Sequence, residues 1–343
     1  MRAALARLLN RKVAGVERIG GGRNSQVYKV RAADGESVAL KAYFRHAADH
    51  RDRRATEFQG FSFLWAHGFR EIPQPIVADP ELGWAVYQFI EGEKIPPGQV
   101  GEAELDAAVD LLARLRELSR QPESRKLGPA SEAFFAVGLV VENVRQRWQR
   151  LCAADGPTAP YEELKDFLGN NLTPLLSQVT RWSESRLRAA GMSLEQELDW
   201  NERTLSPSDF GFHNALRQRN GRLIFLDFEY FGWDDPAKMI SDFLLHPAMD
   251  VSPDLKKRFT AALRRRFCDL PGLIDRVESV YPLFGLKWCM ILLNEFLSDS
   301  FQRRQFAAVA PPDRVALQRQ QLEKARRMLD RIRGEYEQFP YRD

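Results

Sequence analysis

The stretch from Thr204 to Asp242 limits what this chain can fold into more than any other. Its apolar run Leu223-Ile-Phe-Leu226 ends on a carboxylate, Asp227. A short apolar run after a turn reads as a buried strand. A carboxylate at the end of such a strand is costly to bury unless something cationic pairs with it. Upstream, a loop sets Asp209 and Asn214 five residues apart. The economical reading is a hairpin beside a site for a magnesium ion and phosphate.

Phosphoryl transfer is mostly positioning and charge neutralisation, so a protein must supply metal-binding oxygens, a group that orients the nucleophile, and a cation on the phosphates. Magnesium takes hard oxygen ligands, commonly one or two carboxylates with phosphate oxygens and waters. Asn214 and Asp227 can supply such oxygens, and Asp209 can accept a hydrogen bond and a proton from a substrate hydroxyl. Taken singly, each is also an ordinary turn or cap residue. Taken in order, they point to the site.

Asp209-x-x-x-x-Asn214, thirteen residues, then Asp227-Phe228-Glu229 closely resembles the aminoglycoside phosphotransferase / choline kinase family of kinase-like enzymes. Asp235-Pro236, followed by Asp242 opening Phe-Leu-Leu, continues the likeness. The resemblance implies that Asp209 is the catalytic base, that Asn214 and Asp227 hold magnesium with Glu229 assisting, and that Asp242 braces the loop from a helix. One position departs from the pattern: Pro207 stands where the family usually has a histidine.

Residues 13–45 read as a small antiparallel sheet. Gln26-Val-Tyr-Lys-Val-Arg31 alternates like a strand, Ala33-Asp34-Gly35 is a hairpin turn signal, and Ser37 to Tyr43 returns. Before them Gly20, Gly21, Gly22, Asn24 and Ser25 read as a glycine-rich turn whose backbone can approach phosphate oxygens. It is not a Walker A loop, since no Gly-Lys-Ser/Thr follows and no helix opens there. Lys41 on the next strand is a solvated lysine or, by the resemblance, the phosphate-binding lysine. Arg51 to Gly68 reads as a helix. The resemblance makes Glu57 the partner of Lys41, with Glu71 as a more distant alternative. His46 and His50 are two ligands at helical spacing, which falls short of a zinc site.

Ile72-Pro-Gln-Pro-Ile76 is extended by its prolines, and Trp84 to Gly92 reads as an edge-type strand. By the resemblance its end, Gln88, Phe89 and Ile90, meets the nucleotide base. Helices dominate from Glu102, with segments expected at Glu132–Leu151, Tyr161–Arg188, Pro253–Phe267 and Pro312–Tyr336. Tyr281 to Phe296 is apolar nearly all round and reads as a buried helix. The resemblance makes Trp288, Asn294 and Glu295 candidate acceptor contacts, and Trp233 and Asp234, just after the Asp227 segment, are the other acceptor-side candidates. The plain alternative is a core helix with polar residues at its exposed end.

Net charge is +3 on 50 basic and 47 acidic residues, which gives no case for nucleic acid or an anionic membrane as the main partner. No apolar run reaches membrane-spanning length. The first fifteen residues carry charges throughout and read as an amphipathic helix, not a signal peptide. Cys152, Cys268 and Cys289 stand in apolar contexts and read as buried thiols in a reducing, cytoplasmic setting.

The expectation is a two-lobed α+β kinase-like fold: residues 1–95 a nucleotide-binding lobe with a small antiparallel sheet, and residues 96–343 a helical lobe for catalysis and acceptor. The cofactors implied are ATP, or another nucleoside triphosphate, and Mg. The acceptor is a hydroxyl on a sugar, amino alcohol or aminoglycoside-like compound. A nucleotide-binding scaffold without turnover is the alternative. A protein kinase is disfavoured, because no long activation segment separates Asp227 from Asp242.

Overall fold

Strands form where the alternation starts. A computed structural model describes residues 1–21, 24–45, 51–297 and 313–342. After α1 (Arg2–Leu9) come β1 (Val13–Gly21), β2 (Ser25–Ala32), β3 (Ser37–Tyr43), α2 (Arg53–Ala66), β4 (Pro75–Asp79) and β5 (Trp84–Gln88). The five strands make an antiparallel sheet in the order β1-β2-β3-β5-β4. Leu5 of α1 packs with Val30, Leu40 and Val86 on one face. On the other, Phe61 and Leu64 of α2 join Tyr43 and Tyr87 in the main core. Asp52 caps α2 by accepting from the Ala55 N–H at 2.9 Å.

One expectation is corrected at the glycines. Gly20 and Gly21 are not yet turn: they pair with Val27 and Gln26, and the register slips between Arg18 and Gly20. An extra residue at that point bends the strand, as bulges do. Gly22 lies outside the described residues, as do His46 and His50.

The second lobe is helical around three short strand pairs. β6 (Glu93–Lys94) leads into it, and its elements are α3 (Glu102–Leu118), α4 (Val137–Cys152), α5 (Ala159–Asp166), α6 (Thr173–Ala189), β7 (Thr204–Ser206), β8 (Ala215–Arg217), β9 (Leu223–Phe225), β10 (Gly232–Asp234), α7 (Pro236–Leu245), α8 (Pro253–Arg266), α9 (Leu273–Leu292) and α10 (Arg314–Glu335). Strands β6, β8 and β9 form one ribbon, and β7 pairs with β10 in another. Helix α9 is the axis, packed by α4, α6, α7 and α10. All ten residues of α7 are buried. It starts on a capping Asp235 with Pro236 next, where a missing N–H costs nothing. Among the described residues no helix is long and apolar enough to cross a membrane.

Three further expectations shift. The helix expected from Glu132 starts at Val137, because Glu132 turns with φ 58 and its carboxylate ties Arg147 and Lys287 instead. The helix expected over 161–188 splits at a π-helical turn, Phe167–Leu172, just before Pro174, which has no N–H to donate. Of the cysteines only Cys289 is buried; Cys152, the last residue of α4, and Cys268, two residues past α8, are exposed.

Candidate active site between the sheet and the helices

Lys41 lies on β3 with its side chain pointing away from α1, toward α2. Its ammonium meets Glu57 Oε2 at 2.6 Å, pairs with Asp227, and lies 3.6 Å from Glu229 Oε2. Burial alone would pull the Lys41 pKa down, but Asp227, Glu57 and Glu229 outweigh it and hold the pKa well above its ordinary value. Glu57 also accepts from the Tyr43 hydroxyl, and its other oxygen accepts from the Phe228 N–H at 3.1 Å. One carboxylate thus joins β3, α2 and the segment after Asp227. Glu71, the alternative partner, is engaged elsewhere, 2.6 Å from Arg114.

Asp227 follows β9 in the left-handed region, φ 66, which is uncommon for a residue with a side chain. Ser208, just before Asp209, is also left-handed at φ 67. Such residues cost of order 1–3 kcal/mol each and persist where the surroundings over-determine them. The Asp209 loop is held without a histidine at 207. The Asp209 N–H donates to Pro207 O at 3.0 Å, and Lys238 Nζ donates to Ser208 Oγ at 3.1 Å. Asn214 closes the loop by donating its Nδ2 to Asp209 O at 3.2 Å, and its backbone O accepts from Leu226 N–H at 2.7 Å. Those two bonds couple the Asp209 loop to the strand that delivers Asp227.

Asn24 reaches from the sheet to the same place. Its Nδ2 donates to Glu229 Oε1 at 2.7 Å and to the Tyr230 hydroxyl at 2.6 Å. Ser25 opens β2 beside it and is buried. Gln88 ends β5 exposed, and half-buried Phe89 and Ile90 lead on to β6. Lys29 lies over the Phe89 ring at 4.2 Å.

A cation fits this donor set. Carboxylate oxygens of Glu57, Asp227 and Glu229 lie within 4.8 Å of one another. Glu229 Oε2 is buried and accepts no hydrogen bond. Burial pushes the Glu229 carboxyl up to about 7, Asp227 adds to it, and Lys41 opposes. The folded state therefore holds this proton more tightly than the unfolded chain. The stability this gives is full below about pH 4.5 and is lost as pH rises through 7. In metal-free buffer the native protein should gain on Glu229→Gln by roughly 3 kcal/mol between pH 8 and pH 4.5. Urea unfolding of both proteins across that range checks it, and parallel stability curves would refute it.

Asp209 has partners that the sequence reading missed. His213 Nε2 and His246 Nε2 lie 3.2 and 3.0 Å from its Oδ1. Burial pushes the Asp209 carboxyl up, but the hydrogen bonds from His213 and His246 outweigh this and hold it well below the usual carboxylate range. His213 lies four residues past Asp209 in the motif itself and could have been noticed; His246 depends on where α7 ends.

The acceptor candidates separate. Trp288 is half-buried, donates to Asp242 Oδ1 at 3.0 Å, and stands edge-on to His246. Asp242 thereby reaches the loop through Trp288 and, at 3.2 Å, through Lys238. Asn294 is half-buried in the turn after α9, and Glu295 is buried, with Gln318 donating to its backbone O. Trp233 and Asp234 do not line an open cleft. Pairing of β10 with β7 turns Trp233 inward against Trp200, its Nε1 donating to Ser124 O, and fully buried Asp234 meets Lys238 at 2.7 Å.

With this geometry in view, the phosphotransferase enzyme family matches the chain over residues 15–278. No curated protein sequence matches it. Several solved structures share its fold. A spectinomycin phosphotransferase in complex with ADP and spectinomycin superposes with TM-score 0.61 at 15% identity, covering 94% of this chain and 99% of that one. The choline kinase LicA from Streptococcus pneumoniae gives 0.59 at 15%, covering 96% and 97%. A Plasmodium vivax ethanolamine kinase gives 0.57 at 13%, covering 93% and 83%. At such identity the likeness is one of fold: a five-stranded antiparallel sheet joined to a helical lobe.

Proposed function

The chain belongs to the phosphotransferase enzyme family, and on that premise we propose that it moves the γ-phosphoryl group of ATP, or of another nucleoside triphosphate, to a hydroxyl of a small molecule. The acceptor class is a sugar, an amino alcohol or an aminoglycoside-like compound. The observation that carries the reading is the meeting of Lys41, Glu57, Asp227 and Glu229, from three separate segments, around one buried ammonium. The similar folds holding ADP and AMP support a nucleotide there.

In this reading residues 1–95 hold the nucleotide and residues 96–343 supply catalysis and acceptor. Asn24, Ser25 and the glycines before them approach the phosphates with backbone and amide donors. The backbone at Gln88, Phe89 and Ile90 meets the base. Lys41, held by Glu57, contacts the α- and β-phosphates. Asn214 and Asp227, with Glu229 beside them, would hold Mg²⁺, which when bound neutralises charge building on the phosphate oxygens. Asp209 orients the acceptor hydroxyl and takes its proton. Trp288, Asn294 and Glu295 lie on the acceptor side.

Thermal unfolding with and without Mg-ATP tests the site. A ligand that binds only the folded state adds about 2.7 kcal/mol at a hundredfold excess over Kd. The native protein should shift in a magnesium-dependent way, and Asp227→Ala should not. No shift with any nucleoside triphosphate would replace this reading with a scaffold that lacks turnover.

A further inference from the structure

Two imidazoles meet the carboxylate of Asp209 on the same oxygen. His213 comes from the turn Phe212–Asn214, and His246 caps the C-terminal end of α7. Their Nε2 atoms lie 3.2 and 3.0 Å from Oδ1. The rings stack with centroids 3.9 Å apart and planes 11° apart. Trp288 holds the outer side of His246, its ring edge-on at 4.7 Å.

The tautomer of His246 follows from its other nitrogen. The Ala248 N–H donates to His246 Nδ1 at 3.2 Å. A backbone N–H can only donate, so Nδ1 is bare and the ring proton is on Nε2. That proton points at Asp209. A carboxylate oxygen offers about two lone-pair sites, and two imidazole donors fill those of Oδ1. Among the described residues no hydrogen bond or ion pair engages Oδ2. The same Asp-His-His cluster has the composition of a metal site. Ligation through His246 would need a bare Nε2 and a proton on Nδ1, facing the Ala248 N–H.

We propose that His246, with His213 stacked on it, is a positioning residue: it fixes the Asp209 carboxylate by occupying Oδ1, so that Oδ2 alone faces the acceptor hydroxyl. This rests on the phosphotransfer reading above. As the acceptor oxygen bonds to phosphorus and the bond to the nucleoside diphosphate oxygen breaks, the hydroxyl proton passes to Oδ2. The imidazoles keep their protons throughout and act by geometry.

Nitrogen-15 NMR of histidine-labelled protein reads the tautomer directly, with the His246 signals identified by their loss in His246→Gln. A proton on Nε2 is the expected result. A proton on Nδ1 would overturn the proposal, and so would a Zn²⁺-dependent shift of both rings at one equivalent. Kinetics with Mg-ATP and a pool of sugars and amino alcohols supplies the second arm. His246→Phe keeps a flat ring and should lower kcat about 10- to 100-fold, the scale of a misplaced catalytic group, with KM for ATP within about twofold. His246→Gln keeps an N–H near the Nε2 position and should recover most of the loss. A Phe variant with native kcat, a loss carried by KM, or a Gln variant no better than Phe would each overturn it. If native protein shows no Mg-ATP thermal shift, the phosphotransfer reading fails, and the tautomer still decides the hydrogen bond.

Discussion

Asp209→Asn should give a folded protein that binds Mg-ATP like the native one and transfers phosphate about 10²- to 10⁴-fold more slowly, the usual worth of a positioned base. The size of the effect follows from the two imidazoles. With His213 and His246 donating to one oxygen, an asparagine settles with its carbonyl oxygen in that place and its NH₂ where Oδ2 was. A donor then faces the acceptor hydroxyl, and no lone pair is there to take the proton. Lys41, Glu57 and Asp227 are untouched, so the nucleotide-dependent thermal shift should survive. Turnover within about tenfold of native would mean that Asp209 is not the base.

Much of this arrangement is legible in the sequence, because local chain order fixes it. Asp209, Asn214 and Asp227 belong to one loop and hairpin, and their spacing leaves few ways to place them. Strands β2 and β3 carry period-two alternation, so the hairpin that presents Lys41 is visible as well. The position of Glu57 beside Lys41 is set by how α2 crosses the sheet, and only the family resemblance suggests it in advance. His246 is legible in neither way. It lies 37 residues beyond Asp209 and reaches it because α7 runs Pro236–Leu245 and stops. A helix one residue longer would turn the imidazole elsewhere.

The two acceptor candidates that moved inward show the opposite failure. Gly-Trp-Asp-Asp-Pro after Asp227-Phe-Glu looks like an exposed loop, since Gly, Asp and Pro favour turns. Gly232 carried the overlooked signal. A Cβ there would lie 2.4 Å from Gly128 O and 2.6 Å from Ala130 N. Backbone passes that close only where a strand is being covered, and a covered strand sends Trp233 into the core. The fold class needed no such detail, because the period-two strands of the five-stranded sheet all precede residue 100 and helical spacing dominates from Glu102, broken only by short strands.

Lys41→Met should abolish nucleotide-dependent phosphate transfer, and it should also cost the fold itself about 3–5 kcal/mol at pH 8, the scale for a buried charge whose partner is removed. Lys41 is the ammonium around which Glu57, Asp227 and Glu229 gather. Without it, Glu57 and Glu229 stay buried beside Asp227. Both carboxyls already stand above their ordinary values, burial being the main cause in each. Loss of the ammonium removes what opposes that rise. The folded state then binds more protons than the unfolded chain, so stability increases as pH falls. The deficit against native protein should therefore shrink from pH 8 to pH 5. Magnesium alone should shrink it further, since a divalent cation can take the place of the lost charge among the three carboxylates. Urea unfolding at both pH values, with and without magnesium, reads all of this. A deficit that ignores both proton and magnesium would mean that the cluster is held by packing and not by charge. A deficit that answers to both would mean that the surplus of carboxylate around Lys41, a liability to the empty fold, persists because the site is built to take up a cation.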